Sequence, residues 1–550
     1  MAGIQMGGIV SGLDTTSIVT SLMKVEQLKV DKVQQQKTKL QWQQEAYVKV
    51  SDHYADFILK MRDNFGIKNS VSTHGLTRPG TINNLTWLNK ATSSNESILT
   101  TKVTSEAKAG KYEAKVKQLA DSFKSASSSN ISVNKEGANL AEQLGIDPET
   151  QIDFEISDGN KTITINKKAS EMTMTDLVNE INQLDGVTAS YDKDIDRFFI
   201  QTSKTGAESQ LKLTDNSTDL SGGTGSLLSK LQLDNINSGQ TYRGQDAIID
   251  FNGANDITFS TNNFSIQGIE FSLNSANVNE TVTVNVSTDV DAVVEKVQTF
   301  VNEYNTLITD IGKILGEATY RDYDPLTDEQ KEEMTEKEIE LWETKAKSGL
   351  LKNDSIINSI QQNLKSSLIQ DVKLSDGSTI NLYNIGIQTK GYQSAATSGE
   401  LQIDEEKLRA AISNNSNQVA ELLFAIPAES SLNTSDRNLS SSQIQQKRQE
   451  SGLFNRMTDI MTSGMSQIFN KAGVGENSST YRSINSFIMT DFSAAGSKSI
   501  LDNRLLDINK RIVALNARME TVETRYWKQF TAMETAISNL QSQQSLFNSL

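Results

Sequence analysis

The C-terminal segment of this 550-residue chain carries a heptad pattern, the feature that constrains its fold most tightly. Apolar residues recur there at alternating spacings of four and three, first over Leu501, Leu505, Ile508, Ile512, Leu515, Met519, Val522 and Tyr526, and then over Phe530, Met533, Ile537 and Leu540. One extra residue near Trp527 separates the two runs, as in a stutter. A helix of residues 500–550 is about 75 Å long and needs a partner along this seam. The pattern predicts a coiled coil, with an ordinary bundle helix as the alternative.

The N-terminal segment has the same seven-residue period. One series of apolar residues recurs in steps of seven: Val33, Leu40, Tyr47, Tyr54 and Met61. Val50 and Phe57 stand three positions after Tyr47 and Tyr54, at the second position of the heptad seam. No helix breaker occurs between Glu26 and Val33, so the first helix is expected to run unbroken from Thr15. Because the two ends share a period, the simplest fold pairs them. We expect a terminal leg of residues 1–45 and 500–550 and a helical stalk domain of residues 46–75 and 289–499.

Between the helical ends, alternating apolar residues predict strands. Ile152 and Ile156 precede an Asp158-Gly159 turn and Ile163 follows it, which indicates a hairpin. Further strands are predicted at residues 187–191, 197–202, 257–259, 269–273 and 282–286, with a short helix near Leu177. The fold class is therefore α+β multidomain, with β-rich head domains inserted in the middle. We expect an inner head of residues 76–135 and 240–288 and an outer head of residues 136–239.

Helix is predicted again from Asp289, where apolar residues repeat in fours and threes as far as Ile314. An acidic stretch follows at residues 321–347. Thr327 with Gln330, and Thr335 with Glu338, each have the spacing of a capping box. These pairs predict two short, solvated helices.

Charge and cysteine content exclude several classes of partner. Lys and Arg number 53 against 69 Asp and Glu, a net charge of −16, so binding to nucleic acid or to an anionic membrane is not expected. Cysteine is absent, which excludes disulfides and thiolate metal sites. No basic residue precedes Lys24, and glycines at 7, 8 and 12 interrupt the first apolar stretch. A cleaved signal peptide is therefore not predicted, and any export must use another route.

The sequence offers little catalytic chemistry. The two histidines, His53 and His74, lie in no catalytic motif, and residues 221–226 lack the Lys-Ser/Thr of a phosphate-binding loop. Asp322, Asp324 and Asp328 lack the turn glycine of a calcium-binding loop. Pairs of carboxylates of the glycosidase kind remain open, because Asp and Glu occur throughout. We expect no enzyme activity, no cofactor and no metal.

Four stretches of the chain resemble the flagellar hook-associated protein 2 family, the cap of the bacterial flagellar filament. They are residues 8–15 (Gly-Ile-Val-Ser-Gly-Leu-Asp-Thr), 300–305 (Phe-Val-Asn-Glu-Tyr-Asn), 399–404 (Gly-Glu-Leu-Gln-Ile-Asp) and 526–530 (Tyr-Trp-Lys-Gln-Phe). Residues 163–206 resemble the short β-helix-β motif of flagellin and hook proteins. The acidic stretch at 325–349 resembles the version found in Gram-positive bacteria. The stretches stand in the family's order and span nearly the whole chain.

The resemblance implies a secreted, extracellular structural protein at the tip of the flagellum. It would form a ring-shaped homo-oligomer, expected to be a pentamer, that helps exported flagellin to insert and polymerise and prevents its leakage. Its other partners would be hook–filament junction proteins, an export chaperone and the flagellar type III export apparatus. The residues expected to dock are Gly12, Leu13, Asp14, Leu515, Met519, Val522, Tyr526, Trp527 and Phe530.

Three other functions remain as alternatives at this stage. A host-surface adhesin that binds mucin would use the same β-rich head. A hook–filament junction protein would share the helical ends but not the 399–404 and 526–530 signatures. A glycan-cleaving enzyme would need a cleft with two carboxylates.

Overall fold

The computed structural model describes residues 14–67, 70–71, 77–78, 85–104, 106–217, 226–391, 394, 397–432, 434, 436–475 and 498–547. Gly12, Leu13, His74 and the loop at 221–225 lie outside these residues. The chain divides into two compact units. A helical unit contains Met1–Leu85 and Val290–Leu550, and a β unit contains Thr86–Asp289. The β unit is thus one stretch of chain inserted between the two parts of the helical unit.

The described α-helices are α1 (Thr15–Phe65), α2 (Leu140–Leu144), α3 (Met174–Ile181), α4 (Leu227–Lys230), α5 (Val290–Gly316), α6 (Asp328–Glu332), α7 (Glu336–Lys347), α8 (Ser355–Ile369), α9 (Glu405–Phe424), α10 (Ser441–Glu450), α11 (Leu453–Ala472) and α12 (Ile500–Phe547). Short 3-10 turns occur at Ala169–Glu171, Leu382–Ile385, Ser430–Leu432 and Asp436–Asn438.

The described strands are β1 (Ser70–Val71), β2 (Thr77–Arg78), β3 (Asn89–Ser93), β4 (Leu99–Val103), β5 (Gly110–Gln118), β6 (Lys124–Ala126), β7 (Gln151–Ser157), β8 (Thr162–Lys168), β9 (Val187–Asp192), β10 (Arg197–Thr202), β11 (Gln210–Asp215), β12 (Thr241–Arg243), β13 (Ala247–Phe251), β14 (Ala254–Phe259), β15 (Asn263–Ile266), β16 (Ile269–Leu273), β17 (Val282–Thr288), β18 (Val372–Lys373), β19 (Thr379–Ile380), β20 (Ile387–Thr389) and β21 (Leu401–Ile403).

One core of the β unit is shared by two antiparallel sheets. The first has the strand order β14-β13-β5-β17-β3, and the second has the order β15-β16-β4. Alternate side chains of these strands point into the core, among them Val116, Ile249, Phe271 and Val284. This period of two explains why β16 and β17 carry the strand pattern in the sequence.

A second core of the β unit lies under the sheets β12-β11-β7-β8 and β6-β10-β9. The predicted hairpin is confirmed, because β7 pairs with β8 and Ile156 stands opposite Ile163. Helix α3 begins with a capping box between Thr173 and Asp176 and buries Leu177 in this core. Phe154 and Phe198 are also buried there.

The core of the helical unit forms where the second half of α1 packs among α5, α8, α9 and α11. The α1 side chains that are most deeply buried there are Tyr47, Val50, Tyr54, Ile58, Met61 and Phe65. The ring of Phe65 contacts Phe424 edge-on at 4.7 Å and Phe454 at 5.8 Å. The heptad positions from Tyr47 to Met61 are therefore buried in this core, whereas Val33 and Leu40 belong to the first half of the helix.

Several local predictions are confirmed. Helix α1 runs unbroken from Thr15, and α5 begins directly after Asp289. The acidic stretch forms α6 and α7, and both start with the predicted capping boxes. The fold class is α+β, with paired helical ends and a β-rich middle.

Candidate functional site

The paired terminal helices form what we call the leg, residues 15–46 of α1 with α12. At one end, Gln44 Nε2 donates a hydrogen bond to Asp502 Oδ1 at 2.8 Å. Further along, Glu26 accepts a hydrogen bond from Lys29 and lies near Arg518 and Arg525, and these cations lower its pKa. The α12 residue number rises from 502 to 518 while the α1 number falls from 44 to 26. The two helices therefore run antiparallel.

The apolar seam of α12 follows the predicted spacing. Leu501 and Val522 are buried, whereas the other seam residues are only half-buried: Leu505, Ile508, Ile512, Leu515, Met519, Tyr526, Phe530, Met533 and Ile537. Leu540, the last residue of the pattern, is 63% exposed. On α1, Val19, Val30 and Val33 are buried. The leg thus has a thin core with much apolar surface still open to solvent.

The root of the leg is held by a small polar network. Ser499 and Asp502 form a reciprocal cap at the start of α12, because Ser499 N–H donates to Asp502 Oδ2 and Asp502 N–H donates to Ser499 Oγ. Gln44 Nε2 donates both to Asp502 and to the carbonyl of Ala472, at 3.0 Å. Gln44 therefore joins α1, the end of α11 and the start of α12. Sequence reasoning missed this network, although Ser499-x-x-Asp502 has the spacing of a capping box.

The proposed docking residues fall into two groups. Asp14 caps α1, and its carboxylate accepts a hydrogen bond from Ser17 N–H at 2.9 Å. Gly12 and Leu13 lie outside the described residues. On α12, Leu515, Met519, Val522, Tyr526 and Phe530 share the seam, with Leu515 and Val522 seven residues apart.

Trp527 lies beside the seam. Its indole is half-buried, and its N–H points to Glu523 Oε1 at 3.4 Å. An open groove of about 660 Å³ runs past it along α12, lined by Glu520, Thr524 and Thr531 among others. The groove is formed by one helix, so it is a surface feature and not an enclosed binding cavity.

The described residues offer little to a metal site, a catalytic histidine or a membrane-spanning helix. There, no three His, Asp or Glu side chains come together as a metal site. His53 is exposed on α1. Among the helices of the described part, none combines the length and apolar character that a membrane crossing needs.

Acid is expected to weaken the root of the leg through Asp502. Burial alone would raise the pKa of Asp502, but the hydrogen bonds from Ser499 and Gln44 outweigh it and hold the pKa below its ordinary value. Such a carboxylate stabilises the fold above its unfolded pKa of about 4, and this contribution is lost as pH falls through the lower folded pKa. Hydrogen exchange at residues 500–506, corrected for intrinsic rate, should therefore accelerate between pH 5 and pH 3.

The control for this effect is a pair of variants. Asp502→Asn should already exchange faster at pH 5 and respond less to acid. Asp507→Asn, at an exposed carboxylate five residues later, should behave as the wild type. An unchanged acid response in Asp502→Asn would show that this carboxylate does not hold the root.

Paired terminal helices with a half-covered apolar seam, separated in the sequence by an inserted β unit, are typical of a structural protein that presents an interaction surface. Sequence models of the flagellar hook-associated protein 2 family match this chain at residues 11–123 for the N-terminus and 244–542 for the C-terminus. Flagellar hook-associated protein 2 of Halalkalibacterium halodurans is 30% identical over an alignment of 571 positions, gaps included, which covers 98% of each chain.

The Thermotoga maritima protein of the same name is 33% identical over 258 residues, covering 45% of this chain and 38% of that one. The crystal structure of the Escherichia coli flagellar cap protein FliD (domains D1-D2-D3) aligns with 78% of this chain and 95% of its own, at 18% identity and a TM-score of 0.48. The chain belongs to the flagellar hook-associated protein 2 family. It is accordingly a flagellar filament cap protein. These relatives lend no support to the adhesin or junction-protein alternatives.

Proposed function

We propose that copies of this chain form a closed ring, expected to be a pentamer, at the tip of the flagellar filament, and that the leg of each copy docks on filament subunits. The observation that supports docking is the apolar surface of the leg. Val25 is 57% exposed, Leu28 59% and Val513 69%, with Leu22 one turn and Ile18 two turns before Val25. Contiguous apolar surface on a soluble helix is typical of an interaction site.

The ring would guide exported flagellin into the filament and keep it from leaking into the medium. A ring closes when one surface of each subunit binds a different surface of the next, and the β unit supplies large surfaces for such contacts. Hook–filament junction proteins would be the first docking partners, before flagellin is added. The chain would reach the tip through the type III export apparatus, with an export chaperone and without a cleaved signal peptide. It would act without catalysis.

The proposed docking residues are Gly12, Leu13 and Asp14 before α1, and Leu515, Met519, Val522, Tyr526, Trp527 and Phe530 on α12. The finer division into leg, stalk, inner head and outer head, with the boundaries predicted above, belongs to the same proposal. The two separate apolar cores of the β unit favour two heads.

Removing the chain from its cell tests this function. A deletion strain should secrete flagellin into the medium and carry short or no filaments, and a plasmid copy should restore both. Electron microscopy of the purified full chain should show rings. Normal filaments in the deletion strain would overturn the capping role, whereas single particles without rings would overturn only the ring.

A further inference from the structure

The acidic segment between α5 and α8 lies against the leg. This segment, residues 317–350, is called the strap here and contains α6 and α7. Gln35 Nε2 donates to the carbonyl of Pro325 at 2.8 Å, and Lys347 Nζ lies 4.8 Å from the ring centre of Trp42. Two ion pairs join the same surfaces, Lys24 to Glu329 at 3.5 Å and Lys39 to Asp324 at 3.9 Å. The strap therefore spans α1 from residue 24 to residue 42.

The strap and α12 contact opposite faces of α1. The strap contacts Lys24 and Trp42, which are 18 residues apart, or five full turns, and so lie on one face. Helix α12 lies near Glu26 and Gln44, which are also 18 residues apart. Each residue of the second pair stands two positions after its counterpart in the first pair, which is a rotation of about 200° around the axis of α1. Helix α1 is thus held between α12 on one side and the strap on the other.

The strap is tied to itself more firmly than to α1. Glu343 pairs with Lys331 of α6 at 2.9 Å and with Lys347 of α7 at 3.3 Å, and Trp342 Nε1 donates to the carbonyl of Asp324 at 2.8 Å. At its base, Gly349 N–H donates to Glu317 Oε2 at 2.8 Å. The ion pairs to α1 join exposed side chains at longer distances. Such pairs contribute little each and are screened by salt.

Charge complementarity explains why the strap lies where it does. Between residues 24 and 39, α1 carries five lysines against Glu26 and Asp31. The strap carries eleven Asp and Glu against five Lys and Arg. An acidic segment therefore lies against a basic stretch of helix. Trp42, only 9% exposed, adds a buried contact to these electrostatic ones.

We propose that the strap is a releasable brace: it holds the projecting half of α1 straight, and salt or loss of the Trp42 contact releases it. The thin seam with α12 explains the need, since a long two-helix pair with few buried side chains bends and frays at little free-energy cost. The brace is a property of the single chain, so it stands or falls separately from the capping role.

Hydrogen exchange on the purified full chain tests the brace. In the wild type, amides of residues 24–42 should exchange about tenfold faster at 0.5 M than at 0.05 M NaCl, while residues 50–65 stay unchanged. Lys24→Glu with Lys39→Glu should show the faster exchange already at low salt. The matched control, Lys49→Glu with Lys528→Glu, changes the net charge equally at exposed positions outside residues 24–42 and should change exchange less than about twofold.

Excising the strap gives an independent check. Ser348 Oγ donates to the carbonyl of Ala318 at 2.5 Å, so the two ends of residues 319–347 lie side by side and a short Gly-Ser linker can replace them. Spin labels at residues 20 and 49 should then show a broader distance distribution than in the intact chain. The brace is overturned if exchange at 24–42 is independent of salt and charge reversal, or if the excised chain keeps the narrow distribution.

Discussion

Replacing Leu515 and Val522 with aspartate is expected to stop filament growth while the β unit stays folded. Val522 is the buried centre of the seam, and Leu515 is half-buried one heptad before it. Each loss of a buried aliphatic side chain costs on the order of 2–4 kcal/mol, less at half-buried Leu515, and desolvating the new carboxylate adds to this. Two charges on one face should separate α12 from α1. The β unit shares none of these residues, so much of the thermal transition should survive.

The measurements for the seam variant are flagellin in the medium and filament length in the cell. Ala514→Asp with Thr521→Asp is the matched control, because it adds the same two charges one residue earlier, at exposed positions of the same helix. Secretion of each variant must be checked by immunoblot, since export signals can overlap the termini. A Leu515→Asp/Val522→Asp chain that reaches the tip and supports filaments of normal length would show that docking does not use this seam.

The helical ends could be predicted because their pattern is local. A heptad repeat records burial along one helix face, so Val50, Tyr54 and Met61 identify a core position without knowledge of what covers it. The same holds for the α6 and α7 caps, whose partners are three residues apart. The half-burial of the α12 seam could not be predicted, because burial depends on the width of the partner surface as well as on the pattern.

The sheets of the β unit could be predicted only in part. The β7–β8 hairpin follows from a turn between adjacent strands. Strand β5 was not predicted, although it lies at the centre of a five-stranded sheet and buries Tyr112, Ala114 and Val116 in alternation. The alternation of its apolar residues with charged ones is a strand pattern that was overlooked, but its partners β13 and β17 lie more than a hundred residues further along the chain, so no local turn marks the pairing. Pairing over such distances is decided by the whole core.

The polar contacts of the leg were the least predictable. Two of these contacts join residues that are far apart in the chain, each through a single pair of side chains. Gln44 and Asp502 are 458 positions apart, and Trp42 and Lys347 are about 300 apart. Gln and Lys are common on helix surfaces, so nothing in the local pattern marks these two. Only the predicted pairing of the ends could have directed attention to the start of α12.

The largest expected loss of stability in the helical unit comes from replacing Arg456. This side chain is 1% exposed, and its guanidinium donates to the carbonyls of Ser367, Gln370, Asp371 and Ser451 at distances of 2.7 to 3.2 Å. It therefore joins the end of α8 to the α10–α11 junction. Burial and nearby Arg448 lower the pKa of Arg456 to about 10, so the group keeps its charge at neutral pH.

Arg456→Met retains the length of the side chain but removes every donor, which leaves four carbonyls without this partner. A buried carbonyl left unpaired costs about 1–3 kcal/mol, and the carbonyls of Ser367 and Ser451 are buried, whereas Gln370 and Asp371 are exposed residues, so the free energy of unfolding should fall by about 3 kcal/mol. The free energy of unfolding of Arg456→Lys should lie between those of Arg456→Met and the wild type, because an ammonium group lacks the planar fork of donors that reaches four acceptors. Arg504→Met, at an exposed position of α12, is the control. Urea unfolding followed by helical circular dichroism measures the loss, and an Arg456→Met midpoint equal to that of the control would mean that these carbonyls find other partners.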